Sequence, residues 1–181
     1  IKGNRKDFRR GRVMQIYLIG FMGTGKTTTG SKLSKLTGKK LLDTDELIVK
    51  QEGRSISQIF AEDGEAGFRE IETGIFKKLS TEEKEYIISC GGGAPLRSTN
   101  VSYMKKNGVV VRLSATAETV YERVKNNTSR PLLKSPDPMK RIVTLMGERE
   151  EAYTKAADIT IPTDGKTPDQ VAAEILSTLT K

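Results

Sequence analysis

Gly20-Phe21-Met22-Gly23-Thr24-Gly25-Lys26-Thr27 fits the pattern G-x-x-x-x-G-K-[ST]. Each residue type in it has a physical reason. The glycines let the backbone turn tightly and aim successive N–H groups at phosphate oxygens. Lys26 sets a point charge against the outer phosphates, and the Thr27 hydroxyl is a ligand for Mg²⁺. A helix opening at the end of the loop adds its positive dipole end to the anion site. The flanks supply the required context. Gln15-Ile16-Tyr17-Leu18-Ile19 is a short apolar run with strand character. Thr27 to Leu36 reads as a helix, with Leu33 and Leu36 on one face and Gly38 as its stop.

The pattern of strand followed by helix continues outward from this loop. Leu41 to Asp43 reads as a strand and leads into a helix from Leu47 to Gln51 with a polar start at Thr44-Asp45-Glu46. Gly53 ends it. Ser55 caps a short helix through Phe60, and a further helix runs from Glu65 to Lys78. Tyr86 to Cys90 is a buried-type strand running into Gly91-Gly92-Gly93. A helix at 98–106, a strand at 109–113 and a helix at 117–125 follow. Residues 126–138 are polar, rich in proline and without period, which reads as a lid loop. A helix at 139–155, a strand at 158–162 and an amphipathic helix at 170–179 complete the chain. This alternation predicts an α/β fold, a central parallel sheet with helices on both faces. Ligands of such sheets lie at the carboxyl ends of the strands.

Composition narrows the chemistry. The chain has 181 residues, one cysteine (Cys90) and no histidine. That length suits a single domain, expected over 14–181. A lone cysteine rules out an internal disulfide and suits a reducing compartment. Without histidine, a proton acceptor falls to a carboxylate. The net charge of +8 is concentrated in residues 1–13, where Lys2, Arg5, Lys6, Arg9, Arg10 and Arg12 face one acid, Asp7. This basic leader reads as a disordered tail or a processing remnant, with Met14 as the native start. The rest is too mildly basic for nucleic-acid binding, and no apolar run is long enough to span a membrane.

The chemistry-bearing residues cluster at strand ends. Asp43 and Asp45 are two apart, so an extended backbone would point both carboxylates one way, one toward Mg²⁺ and one toward a hydroxyl nucleophile. An equal alternative is a pair of acids capping a helix N-terminus. Gly91-Gly92-Gly93 lets a ligand approach the backbone and meet its N–H donors. Arg69 has Glu72 three residues on, the spacing of an ordinary surface ion pair, and Arg149 among Glu148, Glu150 and Glu151 reads the same way. Arg130 lies in the lid, where an arginine can close over a transferring phosphate. Arg123 is ambiguous on its own.

Taken in order, these stretches resemble the shikimate kinases. The resemblance runs from Gln15 onward and rests on the phosphate loop, Asp43-Thr44-Asp45, Gly53-Arg54-Ser55-Ile56 and Phe68-Arg69-Glu70-Ile71-Glu72. It continues through Gly91-Gly92-Gly93-Ala94, Arg130-Pro131-Leu132-Leu133, and Arg149 four residues before Tyr153. It implies a P-loop, nucleoside-monophosphate-kinase-like three-layer sandwich and transfer of the γ-phosphoryl of ATP to the 3-hydroxyl of shikimate. It assigns ATP to Gly23, Thr24, Gly25, Lys26, Thr27 and Thr28, with Arg123 and Pro168 beside the adenine and Arg130 as the lid arginine. It assigns Mg²⁺ to Thr27 and Asp43, the base to Asp45, and the shikimate carboxylate to Arg69 and Arg149. Gly91, Gly92 and Gly93 would line the acceptor pocket, and Lys26, Asp45 and Arg130 would be catalytic. The implied setting is a monomer in a bacterial cytoplasm or a plastid. Cys90 departs from a small or hydroxylic residue, and Leu41-Leu42 from an aromatic lead-in. A gluconate kinase is the rival on the same scaffold. A guanine-nucleotide switch would carry an N-K-x-D stretch, which the chain lacks.

Overall fold

The computed structural model describes residues 14–126 and 135–180. The basic leader, Arg130 and most of the expected lid lie outside the described residues. Five strands form one fully parallel sheet in the order β2-β3-β1-β4-β5. They are β1 (Gln15–Ile19), β2 (Lys40–Asp43), β3 (Tyr86–Ser89), β4 (Gly108–Ser114) and β5 (Ile159–Pro162). The connecting helices are α1 (Lys26–Thr37), α2 (Thr44–Glu52), α3 (Ile56–Leu79), α4 (Ser98–Asn107), α5 (Ala117–Val124), α6 (Pro138–Ala156) and α7 (Pro168–Leu179). The parallel sheet with helices on both faces is the one expected.

Strand periodicity explains the two layers. Side chains alternate across a strand. Ile16 and Leu18 of β1, Ile87 of β3, and Val109, Val111 and Leu113 of β4 face α1 and α7, packing with Leu33, Val171 and Ile175. Tyr17, Ile19, Ile88 and Val110 face the other way, against Ile48, Ile59, Phe76, Met104, Val120 and Ile142. Every strand-centre side chain in these two sets is buried, as a doubly covered sheet requires.

Two expectations need adjustment. The two helices expected between Ser55 and Lys78 run together as α3, with a non-helical residue at Gly64 (φ 70°, ψ −176°) marking the expected break. Ser55 caps the run, its hydroxyl accepting from the Gln58 amide in a capping box. A short 3₁₀ turn, Ala94–Leu96, follows the glycines and was not expected. Among the described residues no helix is long and apolar enough to cross a membrane.

Candidate active site

β1 lies at the centre of the sheet, and the chain leaves its carboxyl end into the phosphate loop. Gly20, Gly23 and Gly25 have positive φ (145°, 75° and 91°). At Gly20 a Cβ would come within 2.3 Å of the Leu113 carbonyl oxygen, so only glycine fits there. The loop is tied to itself. The Thr24 hydroxyl donates to Phe21 O at 2.7 Å, and Lys26 Nζ donates to Gly20 O at 2.8 Å and Phe21 O at 3.1 Å. Thr28 Oγ1 donates to Gly25 O. Helix α1 begins at Lys26 with no side-chain cap and no acid in its first turn. Its first amides and dipole are thereby directed at the site of an anion.

Arg123 of α5 fastens the loop from behind. Its guanidinium donates to Gly23 O (3.1 Å), Thr163 Oγ1 (3.0 Å) and Thr163 O (2.8 Å). Thr163 opens the turn that leads to Pro168, the first residue of α7. One arginine thus couples the phosphate loop to the segment expected beside the base.

The aspartates are arranged differently from the extended-strand expectation. Asp43 ends β2 and caps α2, its Oδ1 accepting from the amides of Asp45 (2.9 Å) and Glu46 (3.4 Å). Asp45 is already in the first helical turn, so strand alternation does not align the two carboxylates. The capping alternative holds for Asp43. Burial raises the Asp45 pKa, the nearby Asp43 charge raises it further, and Lys26 and Arg69 oppose the shift. Opposite Asp43 in the sheet register is Ser89, whose Oγ lies 3.2 Å from Thr27 Oγ1.

The three glycines after β3 each lie against a different group. A Cβ on Gly91 would stand 3.1 Å from Asp45 Oδ1 and 3.3 Å from Glu72 Oε1. On Gly92 it would stand 3.4 Å from Arg149 Nη1 and 3.7 Å from the Tyr153 hydroxyl. On Gly93 it would lie 2.4 Å from Arg69 Nη2. So Asp45, Arg149 and Arg69, expected to meet, do meet along this floor. The N–H donors expected of the glycines are in part already used, since the Gly91 amide donates to Thr44 Oγ1 at 2.9 Å. Tyr153 donates to Gly92 O at 2.7 Å. The glycines make room for side chains as much as for a ligand. Just before them, Cys90 is 2% exposed, and its amide donates to Leu18 O. Burial pushes its thiol pKa well up.

Neither arginine is the surface group that its spacing suggested. The Arg69 side chain is 18% exposed and donates from Nη1 to Glu72 Oε2 at 3.0 Å. Glu72 is itself buried, 1% exposed, and its Oε1 has no hydrogen-bond partner among the described residues. Burial raises the Glu72 pKa, with Arg69 opposing. Arg149 is half-buried, its Cζ 5.5 Å from the ring centroid of Phe21 in the phosphate loop. From sequence, Glu72 reads only as a surface ion-pair partner of Arg69, and no role is read for Thr44, Ser89 or Tyr153. The signals present are spacings: Glu72 lies three residues after Arg69, and Tyr153 four residues after Arg149, each on the same helix face as its arginine.

The chain as a whole is similar to many known proteins. The family model described as "Shikimate kinase" matches residues 22–180. A shikimate kinase of Thermodesulfovibrio yellowstonii is 45% identical over 161 residues, 89% of this chain and 92% of that protein. A solved shikimate kinase of Acinetobacter baumannii in complex with shikimate is 34% identical, with a TM-score of 0.85 over 93% of each chain. The Aquifex aeolicus shikimate kinase is 42% identical, with a TM-score of 0.80 over 92% of this chain and 96% of that one. A gluconokinase of Sinorhizobium meliloti is 15% identical with a TM-score of 0.57 over 94% of each chain, a likeness of fold alone. Family model and relatives agree along almost the whole length, and the chain belongs to the shikimate kinase family.

Proposed function

We propose that this chain transfers the γ-phosphoryl group of ATP to the 3-hydroxyl of shikimate, giving shikimate 3-phosphate and ADP. The observation that carries this reading is the convergence of Asp45, Arg149 and Arg69 on successive glycines, facing the phosphate loop. One carboxylate base and two guanidiniums match an acceptor with a hydroxyl nucleophile and a planar carboxylate.

The residues divide the work. Lys26, with the amides of Gly23, Thr24, Gly25, Thr27 and Thr28, holds the phosphates. Arg123 and the segment at Pro168 border the base. Arg69 and Arg149 hold the acceptor carboxylate, which leaves the hydroxyl directed at Asp45. Asp45 takes the proton, and the raised pKa from its burial makes it a stronger base than an exposed aspartate. Arg130 is assigned to the transferring phosphate from the sequence. Catalysis is then mainly positioning and charge stabilisation.

Mg²⁺ suits the oxygens present. Thr27 is exposed at the start of α1, and Asp43 ends β2 opposite Ser89. Among the described residues no three His, Cys, Asp or Glu gather into a metal cage. That agrees with an ion that takes one or two protein oxygens and keeps water and phosphate for the rest. Held by Thr27 and Asp43, Mg²⁺ would neutralise charge on the phosphates. We extend the reading to a monomer working in a bacterial cytoplasm or plastid.

A coupled assay of ADP release tests the proposal. Turnover should depend on both shikimate and Mg²⁺. Turnover stimulated by gluconate and not by shikimate would reverse the acceptor assignment. Arg69→Lys should raise the KM for shikimate about tenfold and leave that for ATP unchanged, since a lysine cannot pair bidentately.

A further inference from the structure

Arg112 stands inside β4, between the fully buried Val111 and Leu113. The sheet register puts Ile19 on one side of it and Thr160 on the other. Its side chain is 12% exposed and reaches across to α6. Nη1 donates to Glu150 Oε1 at 2.9 Å, Nη2 to Glu150 Oε2 at 2.6 Å, and Nη1 also to Thr154 Oγ1 at 2.9 Å. Thr154 Oγ1 donates in turn to Glu150 Oε1. The Arg112 Cζ lies 5.7 Å from the Tyr153 ring centroid. Its Nε is buried with no hydrogen-bond partner among the described residues.

Stability is a poor reason for a cation at this place. Desolvating a guanidinium is costly, an unpaired buried N–H adds to the cost, and an apolar side chain would serve the sheet as well. What the guanidinium supplies is direction. Its planar fork fixes the carboxylate it pairs with in both distance and angle. The residues it touches are the ones flanking the acceptor-side groups of α6. Glu150 directly follows Arg149. Tyr153, under the same guanidinium, donates to Gly92 O. Arg149 stands beside Gly92 and over Phe21. A helix gripped at Glu150, Tyr153 and Thr154 cannot rotate about its axis without carrying Arg149 off the glycine floor.

We infer that Arg112 is a positioning residue for recognition of the acceptor carboxylate: it fixes the rotation of α6 through Glu150, Thr154 and Tyr153, and so places Arg149. The inference rests on the proposed role of Arg149 in binding that carboxylate.

Steady-state kinetics and thermal melting of Arg112→Met, Arg149→Met and the double variant test it. Arg112→Met should raise the KM for shikimate about tenfold, with the KM for ATP and kcat within about twofold and Tm unchanged or higher. In the double variant the Arg112 change should add nothing to the effect of Arg149→Met, because the two act in series. An unchanged KM for shikimate in Arg112→Met, or effects that multiply in the double variant, overturns the inference. A lowered Tm with both KM values shifted together also overturns it, since that is the signature of damage to the sheet alone. Should Arg149→Met leave the KM for shikimate unchanged, the underlying reading has failed and the inference falls with it. If Arg112→Met does not fold, Glu150→Gln takes its place. It should raise the KM for shikimate about threefold, and no change counts against the inference.

Discussion

The phosphate loop is one unbroken stretch, Gly20 to Thr27, and it offers backbone amides, one lysine and one hydroxyl. The acceptor wall is drawn from Asp45, Arg69, Glu72, Arg149 and Tyr153, on three different helices, and it offers side chains. The loop holds its shape mostly through bonds inside itself, such as Lys26 to Gly20 O and Thr24 to Phe21 O, with Arg123 of α5 fastening Gly23 O from outside. The wall joins distant segments, Tyr153 of α6 donating to Gly92 O, while Arg69 pairs with buried Glu72 three residues on in its own helix. A backbone site is specified locally and grips any nucleotide triphosphate alike. A side-chain site is specified by packing between distant segments, and on the proposed function selectivity for one acceptor resides there.

The sharpest test of that division replaces one charged group in each half. Lys26→Met and Asp45→Asn should each lower kcat about 10³-fold, within the range for removing a charge stabiliser or a general base. They should part company in KM, Lys26→Met raising that for ATP and Asp45→Asn that for shikimate. Steady-state kinetics with either substrate varied checks this, and a shared pattern would mean that the two halves are not separable.

A smaller effect distinguishes positions within the floor. Gly93→Ala places a Cβ against the Arg69 guanidinium, a flexible group that yields by moving. It should raise the KM for shikimate about tenfold at little cost in Tm. Gly92→Ala meets only ordinary contacts, at 3.4 Å and beyond, and should change KM about twofold at most. Equal effects would show that the floor acts through its backbone amides, as the loop does.

The smallest effect concerns Glu72. Its pKa is raised by burial, so ionising it lowers stability at neutral pH. That cost is absent below the ordinary glutamate value of 4.5 and appears as pH rises through the raised value. Glu72→Gln should therefore raise Tm by about 1–3 °C at pH 8, with the gain vanishing below that ordinary value. The same variant should weaken shikimate binding severalfold, because Arg69 loses its anchor. A lower Tm at pH 8 would mean that the ion pair with Arg69 outweighs the burial of Glu72.

The same division decides what the sequence discloses. Strand, loop and helix around Gly20 are contiguous, so their residues can be read together, and β1 and α1 lie within a residue of where the pattern puts them. The continuous apolar run of β1, buried at every position, and the stop at Gly38 are equally local. The acceptor wall reads poorly by spacing alone. Glu72 three residues after Arg69 looks like a solvated pair until α3 is packed against β3 and the glycines. Asp45 two residues after Asp43 looks aligned with it until α2 is seen to begin at Thr44. The links from Thr27 to Ser89 and from Tyr153 to Gly92 join residues about sixty apart in sequence, and no periodicity encodes them. Only the resemblance brought Arg69 and Arg149 together.

Cys90 turns this geometry into a clock. Thiolates and not thiols attack alkylating reagents, and this thiol is buried with its pKa pushed up. Its labelling requires local opening, and the bond from the Cys90 amide to Leu18 O ties this end of β3 to β1 against it. The peptide that opens is the one continuing into Gly91, so the rate of labelling at this single position counts how often the acceptor floor is dismantled. Occupancy of the floor slows that count, and the chain carries its own reporter of it with no label added elsewhere.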